Sequence, residues 1–194
     1  YADGRATPDS SWYVCVRERH PVGGGEASNE IVAVALDGSQ QVEVLVSGPD
    51  FVAAPRPSPD GRQLAWIQWD HPDMPWDDTQ LWVAELGDGV ITEAQCVAAD
   101  GESFFQPEWR ADSVLHVVTD RDGWWHLHRF DTGRLVPLTT GTFEVGVPQW
   151  VFGQSRYAFV DDAARADADL WLEISPGCNK PGLYYKRQGT LCSG

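Results

Sequence analysis

The chain has 194 residues, enough for one or two domains with a sizeable buried core. Its 29 acidic residues against 14 basic ones leave a formal net charge of −15, which argues against nucleic acid or an anionic membrane as a partner. No apolar run reaches the ~18 residues of a membrane span, and four scattered cysteines do not make a disulfide framework.

In chain order, the first predicted strand start is Thr7-Pro8-Asp9-Ser10-Ser11 leading into Trp12-Tyr13-Val14. An alternating run, Glu30 to Leu36, comes next and ends at the turn Asp37-Gly38. Val42 to Val46 then closes the unit. The same order returns with Pro55-Arg56-Pro57-Ser58-Pro59-Asp60-Gly61-Arg62 before Leu64 to Ile67, then Gln80 to Leu86, then Ala94 to Ala98. It returns again with Pro107-Glu108-Trp109-Arg110-Ala111-Asp112-Ser113 before Val114-Leu115, then Trp125 to Phe130, the turn Asp131-Thr132-Gly133, and Leu135 to Leu138. A fourth start, Pro148-Gln149-Trp150 to Tyr157, leads to Asp169-Leu170-Trp171-Leu172. Period-2 alternation rich in β-branched and aromatic residues reads as strand, and no stretch carries a capped helical stripe.

Recurrence roughly every 40–50 residues, with four short strands per unit, is the pattern of propeller blades. The expected fold is all-β: about three and a half four-stranded antiparallel blades in an incomplete ring. The predicted blades are residues 1–48, 49–99, 100–140 and 141–172. Residues 173–194 are basic, do not match the repeat, and are set apart as an atypical tail. The chain enters a blade almost directly at Tyr1, so it is expected to be a piece of a larger propeller or a truncated copy of one.

Cys15 and Cys96 fall in strand-like runs and read as buried thiols. Cys178 and Cys192, both in the tail, are able to pair in an oxidising compartment. Cysteine usage as a whole points to the cytoplasm. Ten tryptophans are read mainly as packing between blades. His116, His126 and His128 lie on neighbouring predicted strands; three imidazoles in reach suit zinc, but ordinary cross-strand packing is the preferred reading.

One loop stands out. Between the second and third strands of the second unit lies Trp69-Asp70-His71-Pro72-Asp73-Met74-Pro75-Trp76-Asp77-Asp78-Thr79. Two prolines stiffen it, Trp69, Met74 and Trp76 supply apolar surface, and Asp70, Asp73, Asp77 and Asp78 supply negative charge. Such a loop at a blade edge suits the amino terminus of a peptide, held by charge and by stacking on tryptophan. The plainer reading is an ordered connection whose Trp and Pro pack on the next blade. The alternating calcium-loop pattern is absent, so no cofactor or metal is expected here.

No G-x-S-x-G elbow, H-E-x-x-H, G-x-G-x-x-G or Walker lysine loop occurs, and Gly23-Gly24-Gly25 reads as a flexible hairpin loop. No self-sufficient active site is legible. The sequence nevertheless resembles the β-propeller of prolyl oligopeptidase-family serine peptidases, in the dipeptidyl aminopeptidase and acylaminoacyl-peptidase branch. The resemblance is carried by Ser58-Pro59-Asp60-Gly61-Arg62-Gln63-Leu64-Ala65, by Trp69 to Asp77, and by Thr79-Gln80-Leu81-Trp82-Val83. It continues in Phe105-Gln106-Pro107-Glu108-Trp109 and Thr119-Asp120-Arg121-Asp122-Gly123-Trp124-Trp125-His126-Leu127.

That resemblance implies a propeller capping an α/β-hydrolase domain that carries the catalytic Ser, Asp and His and has no counterpart in this chain. The expected role is therefore non-catalytic: gating peptide access and docking the hydrolase domain. Trp69, Asp70, His71, Asp73, Met74, Trp76 and Asp77 form the expected substrate- or domain-facing loop. The alternatives are a stand-alone TolB-like interaction module, self-associating through open strand edges, and a metal-centred propeller enzyme such as a lactonase.

Overall fold

The computed structural model describes residues 1–99, 101–159, 170–173, 182–187 and 190–193. Among them every regular element is a strand, and no helix is long and apolar enough to cross a membrane. The first sheet holds β1 (Ala2–Ala6), β2 (Trp12–Arg19), β3 (Ser28–Ala35) and β4 (Val42–Val46). The second holds β5 (Phe51–Pro57), β6 (Gln63–Trp69), β7 (Gln80–Gly87) and β8 (Val90–Ala98). The third holds β9 (Phe104–Trp109), β10 (Leu115–Thr119), β11 (His126–Asp131) and β12 (Arg134–Pro137). Each is antiparallel and ordered as in the sequence, and the innermost strands β1, β5 and β9 adjoin one another. These are propeller blades.

The alternation read in the sequence is what builds the seams between them. On β6, Leu64 and Trp66 turn toward the first blade and pack with Val14, Val16, Ile31 and Ala33. Their neighbours Ala65 and Ile67 point the other way, into a second cluster with Phe104, Leu115 and Val117 of the third blade. Phe105, Val118 and Leu127 continue the pattern on the far face of that blade, against Val145 and Tyr157. Trp66 and Trp82 are a cross-strand pair with stacked rings 5.8 Å apart. The hairpin β7–β8 turns on Asp88 and Gly89, both at positive φ (50° and 72°), the geometry of a type I′ turn. A Cβ on Gly89 would lie 2.6 Å from the Trp12 ring, so glycine is also what lets this hairpin close against the first blade.

The inner strands share a device that alternation does not reveal. Each has an irregularity in its pairing, and Asp3, Ala54 and Gln106 sit there at φ of 53°, 51° and 51°. In the first and third blades the bulge aims the side chain at the following unit. The Asp3 carboxylate accepts the Ala54 N–H at 2.7 Å. Gln106 Oε1 accepts the N–H of Arg156 at 2.6 Å and of Tyr157 at 3.3 Å, while its amide donates to the Tyr157 carbonyl at 2.7 Å.

The fourth unit departs from expectation. Residues 148–158 hold no strand, only a single bridge at Phe159. Pro148 has no N–H to give to a ladder, and the Gln106 side chain already occupies the backbone of Arg156 and Tyr157. Among the described residues the fourth sheet has three strands: β13 (Leu170–Glu173), β14 (Gly182–Arg187) and β15 (Thr190–Ser193). Two of its strands come from the stretch read as a tail outside the repeat. Cys178, and with it the pairing of Cys178 with Cys192, lies outside the described residues. Cys15 is buried as expected; Cys96 is exposed, because it sits on β8, the outermost strand of its blade.

Candidate functional site

The long loop between β6 and β7 is clamped at its base and open at its tip. Thr79, almost fully buried, donates its N–H to the Glu102 carbonyl at 3.0 Å and accepts the Phe104 N–H on Oγ1 at 2.8 Å. The Ser103 hydroxyl donates to the Pro75 carbonyl at 2.8 Å. These three bonds tie the loop to the third blade, where the Ser103 N–H is itself held by Asp120 at 2.7 Å. Beneath this, Glu102 is 3% exposed and takes hydrogen bonds from Thr119 and Arg121.

Toward its start the loop rests on the strand entering the second blade. Trp69 stacks on Phe51 at 5.3 Å, and His71 lies 4.9 Å from the same ring. Asp70 Oδ1 accepts the Asp50 N–H at 2.7 Å. Asp50 Oδ2 accepts the His71 N–H at 2.9 Å and faces its Nδ1 at 3.0 Å. His71 hydrogen bonds hold the Asp50 carboxyl below the usual carboxylate range. Asp73 donates its N–H to the Asp70 carbonyl at 3.1 Å, and Asp77 Oδ2 accepts the Met74 N–H at 3.0 Å. The tip is therefore two tight turns whose carboxylates fold the loop and also face water. Asp78 is pushed up by burial first, and then by the nearby charges of Asp73, Asp120 and Glu102.

Trp76 reaches beyond its own blade. Its ring lies 4.3 Å from that of Trp150, which is 72% exposed. Together with Phe51, Trp69, Met74 and Phe152 these rings border an open groove of about 440 Å³. Trp69 thus stacks within its own blade and Trp76 reaches Trp150, on the walls of an open concavity. The sequence reading names the loop and misses Trp150, Val151 and Phe152. Their signal is present: Val151 and Phe152 stand where the third unit has its polar turn Arg110-Ala111.

The three histidines do not converge. Pairing sets His116 opposite Arg129 and His128 opposite Val117, so His116 and His128 point to opposite faces of the sheet. His116 packs edge-on against Phe159, and His126 hydrogen-bonds with Thr139 and the Gly141 carbonyl. Nδ1–H of His128 donates to the His126 carbonyl at 2.9 Å, and burial pushes its pKa down. Among the described residues no group of His, Cys, Asp and Glu has the arrangement of a metal site.

No family model and no curated protein matches the chain. Solved structures do. A puromycin-hydrolyzing peptidase of Mycobacterium tuberculosis aligns over 100% of this chain and 31% of its own, at 31% identity and a TM-score of 0.84. A puromycin hydrolase aligns over 99% of this chain and 30% of its own, at 32% identity and a TM-score of 0.82. TolB from Acinetobacter baumannii aligns over 99% of this chain and 42% of its own, at 16% identity and a TM-score of 0.62, a likeness of fold alone. The chain spans about a third of the length of the two peptidases. Its blades and its level of identity to them agree with the resemblance carried by the Trp69 to Val83 segment: the chain matches the β-propeller portion of prolyl oligopeptidase-family peptidases.

Proposed function

We propose that this propeller segment gates peptide access to a hydrolase domain and docks that domain through the face bearing the β6–β7 loop. The observation that carries the reading is the loop itself: clamped to the third blade by Pro75 and Thr79, it presents Trp69, Met74 and Trp76 around an open groove. A rigid base with an exposed aromatic and acidic tip is suited to a surface that sorts what passes it. Asp70, His71, Asp73 and Asp77 give that surface its polarity. A stand-alone TolB-like module has only the likeness of fold behind it.

The test is selectivity. In the full-length gene product, Asp70→Asn, Asp73→Asn and Asp77→Asn together are expected to change the ratio of kcat/KM between peptides with free and with blocked amino termini. An unchanged ratio in a folded variant removes the loop from the gate.

A further inference from the structure

We infer that the groove between the β6–β7 loop and residues 149–152 is a binding site for an arginine side chain of a peptide, held away from the peptide's ends. The inference rests on the peptidase reading for its biological setting and on the groove's own chemistry for its ligand. Met74, Trp150, Val151 and Phe152 are 45%, 72%, 63% and 44% exposed, an unusual concentration of apolar surface for a chain of net charge −15. Trp76 and Trp150 touch on one wall of it, at 4.3 Å, and Trp150 leaves ring surface open to a ligand.

The rim is negative. Glu18 lines the groove, with its Oε1 2.5 Å from Nε2 of the exposed His20; Asp77 and Asp70 stand just outside the lining, held by the Met74 N–H and the Asp50 N–H. None of the described residues lining the groove is Lys or Arg. Arg17 and Arg19, nearby in sequence to Glu18, are directed at Glu30. Aromatic faces framed by carboxylates attract a cation by ring quadrupole and by charge together. Guanidinium suits such a site better than ammonium, because it is flat, stacks on indole and gives up its hydration more readily. A second copy of this chain is disfavoured as occupant, since it brings a further charge of −15 to a negative rim.

The experiment is a calorimetric titration of this chain with acetyl-Leu-Arg-Leu-amide and with its citrulline counterpart, which has nearly the same shape but no charge. Blocked termini remove any contribution from the amino end. Saturable binding of the arginine peptide is expected, at least tenfold tighter than the citrulline peptide and weakened by salt. Trp150→Ala, an exposed position, is expected to lower affinity at least tenfold with an unchanged circular dichroism spectrum, and Trp150→Phe to restore part of it. No saturable binding of the arginine peptide, or equal binding of the two peptides, overturns the inference. Peptide selectivity of the full-length product decides the gating reading independently, so each can fail without the other.

Discussion

Asp3 and Arg56 meet across the seam between the first two inner strands, with Asp3 Oδ1 2.9 Å from Arg56 Nη2 and the two side chains 4% and 8% exposed. The guanidinium also reaches Glu108 on the third inner strand at 3.2 Å, so one arginine ties three blades. Replacing only one member of such a pair strands the other charge away from water, at a cost of about 3–5 kcal/mol. Arg56→Met is therefore expected to lower the urea midpoint strongly. Asp3→Leu combined with Arg56→Met should cost less than the two single changes summed, and a double-mutant cycle measures the difference.

Gln106 performs the corresponding task toward the fourth unit, through four hydrogen bonds to residues 155–157. Gln106→Leu keeps the bulk and removes every one of them. Each buried backbone group left unsatisfied costs about 1–3 kcal/mol. The expected signature is local: hydrogen exchange at the Arg156 and Tyr157 amides accelerates by more than at Val14 or Leu64. Uniform acceleration across all the blades would show that Gln106 does not act on this seam.

The acidic character of the loop face has a consequence for stability against pH. Asp120 is held above the ordinary carboxylate range by burial, with Glu102 adding to it, and Asp78 likewise by burial and by three nearby carboxylates. A raised folded pKa means a contribution that is complete below the ordinary value of 3.8 and lost as pH rises through the folded value. Asp60 and Asp112 run oppositely. The Ser58 hydroxyl and the Arg110 guanidinium lower them, so their contribution is present above 3.8 and lost as pH falls through the folded pKa. Asp120→Asn keeps an oxygen for the Ser103 N–H and removes the charge. Its urea midpoint is expected to exceed that of the unsubstituted protein at pH 7 and to match it once pH falls below 3.8. A lower midpoint at pH 7 would contradict this.

The blades were legible because their signal is local. Alternation in Leu64-Ala65-Trp66-Ile67 states which side chains face which neighbour, and Asp60-Gly61 states where the chain turns; both are fixed by residues adjacent in sequence. The turn is even built as its composition suggests, with the Ser58 hydroxyl donating to Asp60 at 2.6 Å and accepting the Gln63 N–H at 2.9 Å. What escaped the sequence depends on partners far along the chain. Nothing around Gln106 announces that its amide will occupy the backbone of Arg156 and Tyr157 and so suppress a strand there. Nothing around Trp76 names Trp150. The three histidines pack across strands, as the preferred reading has it, and pairing places His116 opposite Arg129, on the face away from His128.

Thr79 links the stability of the loop to the groove it borders. The residue is 1% exposed, and its hydroxyl is the acceptor for the Phe104 N–H at the entry of the third blade. Thr79→Val preserves shape and deletes that acceptor, leaving a buried N–H without its partner at a cost of about 1–3 kcal/mol. Because the loop is also held by the Ser103 hydroxyl on Pro75, the blade is expected to stay folded while the clamp loosens. Limited proteolysis should then cut within residues 70–78 faster in Thr79→Val than in the unsubstituted chain, with Thr79→Ser close to the latter. If the two variants are cut at equal rates, the hydroxyl does not hold the loop, and the rigidity of the groove has another source.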